Sequence, residues 1–329
     1  MKAVVYKRYG PPEVVHVMEV PTPVPTADEV LIRIHATTVA SGDWRVRSLQ
    51  VPRGFSLIAR LFFGVSSPRN CILGTELSGT IEAIGANVSQ WCVGDKVFAF
   101  PGVGMRCHAE YRTMSASGNL VTKPSRLSFE QAAALCFGGT TALYFLRNLG
   151  NIQRGEHVLI LGASGAIGTA AVQLAKHFGA EVSAVCSSAN AQLVAGLGAD
   201  HVIDYAKEDF TRNLSCYDII FDTVGATSFT RCQEALKPNG RLLLAAADLL
   251  QMLDAARGRR AQGKCVFAGT APEKRADLEF LCEVVELGQF LPIIDSTYPL
   301  ESIVAAHARV DTGRKRGNVV VVMPLPLSQ

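Results

Sequence analysis

Val158-Leu-Ile-Leu-Gly162-Ala163-Ser164-Gly165-Ala166-Ile167-Gly168-Thr-Ala-Ala-Val-Gln-Leu-Ala-Lys176 is the stretch whose reading decides the fold. An apolar run of strand type ends at a tight glycine turn and opens directly into an amphipathic helix. Gly165 lets the backbone come close to a pyrophosphate, and Gly168 lets the helix pack against the strand. The first turn of the helix then offers free N–H groups and the positive end of its dipole. The first glycine of the usual fingerprint is replaced by Ala163, with Gly162 beside it. A bare glycine triplet is weak evidence, but a triplet in strand-turn-helix context points to dinucleotide phosphates. The plainer alternative is a tightly packed turn that holds no ligand.

Working outward, the rhythm around this turn is strand, helix, strand. Residues 157–161, 182–186, 201–203, 217–222, 241–246 and 265–268 read as strands, and 166–178, 189–197 and 228–236 as helices. Apolar runs without alternation fit strands covered on both faces, which predicts a doubly wound parallel sheet. A long helical stretch over 128–149, with Gly138-Gly139 inside it, precedes them. Residues 1–123 read instead as short strands and turns: 3–6, 14–20, 29–37, 79–84 and 96–100, with Pro21, Pro23 and Pro25 forming an extended link. In 29–37 the residues Val30, Ile32 and Ile34 alternate with Leu31, Arg33 and His35, as in a half-buried strand. The tail reads as helices at 277–287 and 298–309 and a valine-rich strand at 318–323. That strand is expected to return to the N-terminal β domain. The predicted organisation is a β-rich domain from 1–123 and 272–329 around an inserted α/β domain at 124–271.

Composition sets the class. Of 329 residues, 48% are hydrophobic and 19% charged, which suits two packed cores. The net charge of +3 and the short basic runs at 257–260 and 314–316 argue against nucleic-acid binding. No two of the nine cysteines stand in a CxxC spacing, which argues against a zinc knuckle or dithiol pair and for reduced thiols in a cytoplasm. No apolar run is long enough to span a membrane, and the N-terminal run is too short for a signal peptide.

The second strand of the α/β unit ends Val185-Cys186-Ser187-Ser188, with no carboxylate in place to hold a ribose diol. Two serines do not repel a 2′-phosphate, so NADP(H) is favoured over NAD; relaxed specificity is the alternative. Asp43, Thr75 and Glu76 are candidates for the cleft. Asp43 either caps the turn after Ser41-Gly42 or shapes the cleft. Glu76 is either a site carboxylate or the buried partner of a cation such as Arg45 or Arg47. Thr140 and Thr141 either face a nicotinamide or bond back to the preceding helical turn. Tyr205 either reaches the adenosine end or simply packs. His35 reads as a surface residue rather than a base, and His108 beside Cys107 does not make a metal site, which takes three converging ligands.

Six stretches carry a resemblance beyond this: Leu73-Gly-Thr-Glu-Leu-Ser-Gly79, Val93-Gly-Asp-Lys-Val97, Leu161-Gly-Ala-Ser-Gly-Ala-Ile-Gly168, Gly198-Ala-Asp-His-Val-Ile-Asp-Tyr205, Phe221-Asp-Thr-Val-Gly225 and Arg316-Gly-Asn-Val-Val320. Together they resemble the medium-chain dehydrogenase/reductase superfamily, and within it the zinc-independent NADPH:quinone oxidoreductase-like branch. The resemblance implies a GroES-like β domain around a Rossmann domain, a homodimer, and a nicotinamide in the cleft between domains. The zinc ligands of metal-dependent relatives fall at Ala40, Thr75 and about Phe137, with Cys136 one position off, so no metal is expected. The glycine turn places cofactor contacts at Ser164, Gly165, Ala166, Ile167 and Gly168, and the end of the second strand at Ser187 and Ser188; the resemblance adds contacts at Thr140, Thr141, Asn190, Tyr205, Gly225 and Asn318. The basic companion usual beside such a tyrosine falls at Asn190, which is not basic.

The expected function is metal-independent hydride transfer from NADPH to a quinone or conjugated carbonyl, with a cytoplasmic location, a small-molecule substrate and no nucleic-acid or membrane-inserted partner. A zinc-type alcohol dehydrogenase and a non-catalytic NADP(H)-binding module are the alternatives. The role of residues 47–70, rich in Phe and Leu, is open between a mobile cleft cover and a packed helix.

Overall fold

The computed structural model describes residues 1–258 and 260–324; Arg259, within the basic run at 257–260, lies outside them. Strands β1 (Lys2–Tyr6) and β2 (Val15–Glu19) form an antiparallel pair. Beyond the prolines, β3 (Glu29–Val39) runs longer than its alternating pattern suggested. Val30, Ile32 and Ile34 enter one core, and Leu31 on the other face is buried too. Strand β3 pairs with β4 (Leu77–Ile84), which continues to β5 (Lys96–Ala99). Two further strands, β6 (Tyr111–Ser115) on β3 and β7 (Leu120–Thr122) on β5, complete the antiparallel part. Between β3 and β4 lie two short helices, α1 (Ser41–Ser48) and α2 (Ser56–Phe63).

The long helix expected over 128–149 is broken in two places. Ser128 accepts from Gln131 N–H while Gln131 accepts from Ser128 N–H, a reciprocal cap that starts α3 (Phe129–Ala133). The chain then shifts into α4 (Cys136–Leu143) and widens to a π turn over Tyr144–Leu149. Gly138 permits the close packing there, since a Cβ would stand 2.6 Å from the Ala166 carbonyl oxygen.

The α/β unit follows: β8 (His157–Leu161), α5 (Ala166–His177), β9 (Glu181–Cys186), α6 (Ala191–Gly196), β10 (His201–Asp204), β11 (Tyr217–Asp222), α7 (Phe229–Cys232), β12 (Leu236–Leu244), α8 (Leu249–Ala255) and β13 (Cys265–Ala268). The six strands are all parallel, in the order β10-β9-β8-β11-β12-β13. In β8, Val158 and Ile160 belong to the core on one face and Leu159 and Leu161 to the core on the other. That is why the strand reads as apolar without alternation. The helix expected over 228–236 shrinks to α7, because Leu236 is already drawn into the sheet opposite Tyr217.

The tail supplies α9 (Arg275–Glu286), β14 (Ile294–Pro299), α10 (Ile303–Asp311) and β15 (Asn318–Val322). The helix expected from Tyr298 starts only at Ile303. Tyr298 lies in β14, paired with Val321, and extended Pro299 ends that strand. Strand β15 pairs antiparallel with β3, so one seven-stranded sheet draws on both ends of the chain. The architecture is α/β: a GroES-like β-rich domain with a Rossmann-type parallel sheet inserted.

An ion pair whose arginine is buried and whose aspartate reaches the surface fixes the tail helix to α1. Arg47 is fully buried and donates to both Asp311 oxygens at 2.5 and 2.6 Å, and to Gly10 O at 2.8 Å. Arg47 is therefore not the partner of Glu76. Replacing Asp311 by Ala leaves a buried guanidinium without its counter-charge, which should cost about 3 kcal/mol. Urea unfolding of Asp311→Ala tests this, and a loss below about 0.5 kcal/mol, as at an ordinary surface site, contradicts it.

Candidate functional site

The glycine turn at the end of β8 is built by steric necessity. Gly162 has φ 74°, and a Cβ there would meet Val224 Cγ1 at 2.5 Å. A Cβ on Gly168 would stand 2.2 Å from the Gly162 carbonyl oxygen, so α5 lies against the strand at a distance only glycine allows. Gly165 is different, because its Cβ would meet nothing closer than Gly162 O at 3.5 Å. It is the N-cap of α5, and no side chain caps the helix there. The first-turn amides of α5, at Ala166, Ile167 and Gly168, have no carbonyl of their own helix to bond. Uncapped amides at the positive end of a helix suit a pyrophosphate, so the residues present fit a dinucleotide.

The tail closes onto this turn. Gly317 N–H donates to Ser164 O at 2.8 Å, and Gly317 pairs with Gly165 in an isolated parallel bridge. With φ 72° and Ile293 O where a Cβ would go, position 317 must be glycine. Asn318 next to it is buried, its amide nitrogen donating to Ile293 O at 3.0 Å, which leaves its carbonyl oxygen as the free group. Lys315 donates to Gly317 O at 2.6 Å. Desolvation pushes its ammonium down to about 8, with Glu76 opposing the shift.

Glu76 is fully buried between the domains. Its carboxylate accepts from Thr38 Oγ1 and, at 2.6 Å, from the Phe137 N–H at the start of α4. Burial pushes its pKa up to about 7, against those two hydrogen bonds and the nearby Lys315. Asp43, by contrast, accepts from Ala40 N–H at 2.8 Å and Gly74 N–H at 2.9 Å, so it caps α1 and ties it to the turn before β4. Thr75 keeps a buried Oγ1 with no partner, the only one of the three cleft candidates with such a free group among the described residues.

At the opposite end, Asn190 donates to Ser164 Oγ at 2.9 Å, joining the glycine turn to the end of β9. Ser188 donates to Asp204 at 2.7 Å. Asp204 is a carboxylate that the reading of the β9 end missed: it arrives from β10, opposite Cys186 in the parallel register, and it also pairs with Lys207 at 3.6 Å. Ser187 stands at the head of the following turn, and Tyr205 is two-thirds exposed. Asp222 is a second residue missed. It accepts from the N–H groups of Val224, Gly225 and Thr227, each at 2.9 Å, and so sets the turn in which Gly225 has φ 77°. Thr140 donates back to Cys136 O at 2.8 Å, committing its proton to the helix, whereas Thr141 on the next position has no such bond.

No zinc donor stands at the positions matched to zinc ligands. Ala40 and Phe137 offer only backbone, and Thr75 is a neutral hydroxyl. Cys136 is buried with its thiol on Ala99 O at 3.6 Å, and burial raises its pKa well above the ordinary range. His108 bonds Thr38 O at 2.9 Å and packs edge-on to buried His307. Among the described residues no three His, Cys, Asp or Glu side chains converge as metal ligands.

Glu76 makes stability pH-dependent. Unfolded, a glutamate titrates near its ordinary value of 4.5; folded, burial pushes Glu76 up to about 7. Between those values the folded chain holds the proton more tightly, so this residue's contribution is most favourable below the window and falls as pH rises through it. The loss amounts to about 3 kcal/mol at most. His307, with its pKa lowered by burial, acts in the opposite direction as pH falls. The difference between parent and Glu76→Gln isolates the carboxylate: the variant should gain relative stability from pH 5 to 8 in denaturant titrations. A difference that does not change with pH contradicts the assignment.

Comparison with known proteins agrees with this geometry. A family model described as "Alcohol dehydrogenase GroES-like domain" matches residues 26–148, and one described as "Zinc-binding dehydrogenase" matches 197–321. The chain is 32% identical over 328 residues to "NAD(P)H oxidoreductase RTN4IP1, mitochondrial" of Mus musculus, covering 89% of this chain and 81% of that one. It is 27% identical to the quinone oxidoreductase of Homo sapiens, covering 95% and 94%. The solved quinone oxidoreductase of Coxiella burnetii superposes with a TM-score of 0.84 at 28% identity, over 98% of this chain and 99% of that one. The chain belongs to the medium-chain dehydrogenase/reductase superfamily, as an NAD(P)H-dependent oxidoreductase of its zinc-independent, quinone oxidoreductase-like branch.

Proposed function

We propose that the chain is an NADPH-dependent, metal-independent reductase of a quinone or a conjugated carbonyl such as an enone or enal. The observation that carries this is the uncapped start of α5 at Gly165, pinned by Gly317 beside a cleft whose three matched positions offer no zinc donor. Bound NADPH supplies the hydride. In this reading Ser164, Gly165, Ala166, Ile167 and Gly168 hold the pyrophosphate. Ser187, Ser188, Asn190 and Tyr205 take the adenosine end, and Thr140, Thr141, Gly225 and Asn318 border the nicotinamide. Thr75 contributes its free hydroxyl to the cleft. Glu76 holds α4 in place rather than acting on substrate, and the reduced quinone or enolate takes its proton from water. The open edge of β13 is where a second copy would extend the parallel sheet into a homodimer.

A screen of NADPH and NADH oxidation against quinones, enones, aldehydes and ketones tests the reading, together with elemental analysis for zinc. Turnover of quinones or enones by zinc-free protein is expected. Alcohol oxidation that disappears with removal of one bound zinc would replace this reading with a zinc-type alcohol dehydrogenase. Tight NADPH binding with no turnover on any acceptor would replace it with a non-catalytic binding module.

Cofactor choice follows from the same geometry. Serine hydroxyls favour the 2′-phosphate, while Asp204, 2.7 Å from Ser188, opposes it. The expected preference for NADPH over NADH is about tenfold, or about 1.4 kcal/mol. Asp204→Asn should widen it by about threefold, as fits a screened charge, and Ser187→Asp should reverse it. Calorimetric titration of both cofactors into the three proteins checks this; equal or tighter NADH binding by the parent contradicts the preference.

A further inference from the structure

One face of the β-rich domain is unused by this chemistry. Helix α2 carries Leu57, Ile58, Leu61 and Phe62, exposed by 70, 53, 57 and 59%, and Val65 follows at 60%. Of the helix only Ala59 is buried. Helix α2 is thus not a packed core helix: it rides on the surface with its apolar side outward, while Arg53 just before it accepts at its carbonyl oxygen from Leu249 N–H of the α/β domain at 3.1 Å. Contiguous exposed apolar side chains of this size mark a contact surface.

The frame around α2 is positive. Residues 44–75 contain five arginines and no aspartate or glutamate, and of the five only Arg47 is buried on a carboxylate, that of Asp311. Arg53, Arg60 and Arg69 are exposed. Arg60 and Arg69 bond main-chain carbonyls, Val65 O at 2.8 Å and Phe62 O at 3.4 Å, rather than carboxylates. Beside the helix lies a cavity of about 760 Å³ whose wall includes Arg69, Arg106 and Arg112 next to Val20, Pro21 and Pro23. Arg112 keeps Nε and Nη1 buried with no partner. The acid on that wall, Glu29, is engaged by the N–H and hydroxyl of Thr26. A smaller cavity lined by Phe62, Phe63 and Arg69 connects the helix to this wall.

We infer that this face docks on an anionic lipid surface, with α2 entering the interfacial layer and Arg69, Arg106 and Arg112 receiving a lipid phosphate. A short helix with bulky apolar side chains outward and arginines at its flanks matches the physics of interfacial binding. The planar guanidinium forks match a phosphate, and arginines that hold no carboxylate partner among the described residues, next to apolar surface, complement an anionic headgroup above acyl chains. No helix among the described residues is long and apolar enough to cross a membrane, so the contact is peripheral. The inference draws nothing from the quinone reading.

The test is co-sedimentation with vesicles of phosphatidylcholine alone and of phosphatidylcholine with phosphatidylglycerol. The protein should bind the anionic vesicles, not the neutral ones, and release as salt rises. Arg69→Gln with Arg106→Gln should weaken binding by about thirtyfold, the effect of two surface charges. Leu61→Ser with Phe62→Ser should abolish it without changing charge. Both variants alter exposed side chains, so circular dichroism and NADPH titration should match the parent, which keeps this result separate from the cofactor site. Absence of vesicle binding, or binding that ignores both variants, overturns the inference. So does a halved mass by light scattering in the serine variant, which would assign the face to a second copy. Glycerol phosphate binding to the arginines without vesicle binding would assign them to a soluble anion and overturn it as well.

Discussion

The buried carboxylate of Glu76 is the link on which the cleft depends. It reaches Thr38 on β3 with one oxygen and the Phe137 amide at the start of α4 with the other. Helix α4 in turn lies against the start of α5 through Gly138, whose missing side chain leaves room for the Ala166 carbonyl. The position of the first-turn amides of α5 is therefore referred back, through one carboxylate and one glycine, to the sheet of the other domain. Burying a carboxylate is costly, and its raised pKa reflects that cost. The two hydrogen bonds and the nearby Lys315 offset part of it.

A second constraint acts from the opposite side. The Gly317 amide binds Ser164 O, and β15 then continues as a strand beside β3. The glycine turn is thus held by its own strand, by α4 and by the tail of the chain. This matters for hydride transfer, where a shift of the cofactor by a fraction of a bond length changes the approach of donor to acceptor. It also explains why residues with no chemistry of their own recur around the site. A Cβ on Gly168 or Gly317 would collide with backbone, and one on Gly162 with the Val224 side chain.

The site shows a division between groups spent on structure and groups left free. Asp43 gives both oxygens to backbone amides, Thr140 gives its proton to Cys136, and Asp222 spends its carboxylate on three amides of one turn. What remains open is the start of α5, the hydroxyl of Thr75 and Ser187 after β9, since Ser188 has given its proton to Asp204. Polar residues in a cleft are not by that fact reagents; a committed hydrogen bond removes them from the list.

The sequence by itself determined the α/β class, the parallel sheet and the glycine turn. These rest on local facts: a strand buried on both faces must be apolar throughout, and a turn that packs a helix onto a strand must lack side chains. The α2 segment was legible as apolar but not as exposed, because composition does not say which neighbours cover a helix. Helix 128–149 was misread as continuous and Tyr298 as helical, since the breaks come from packing against α5 and pairing with β15. Asp204 escaped notice because it lies 16 residues from Ser188 in the chain and is brought within 2.7 Å by the parallel register of β9 and β10. Only the tertiary structure decided the partners of Glu76, Arg47 and Lys315. Arg47 finds Asp311 264 positions away, and Glu76 finds Thr38 and the Phe137 amide 38 and 61 positions away, separations that no pattern along the chain announces.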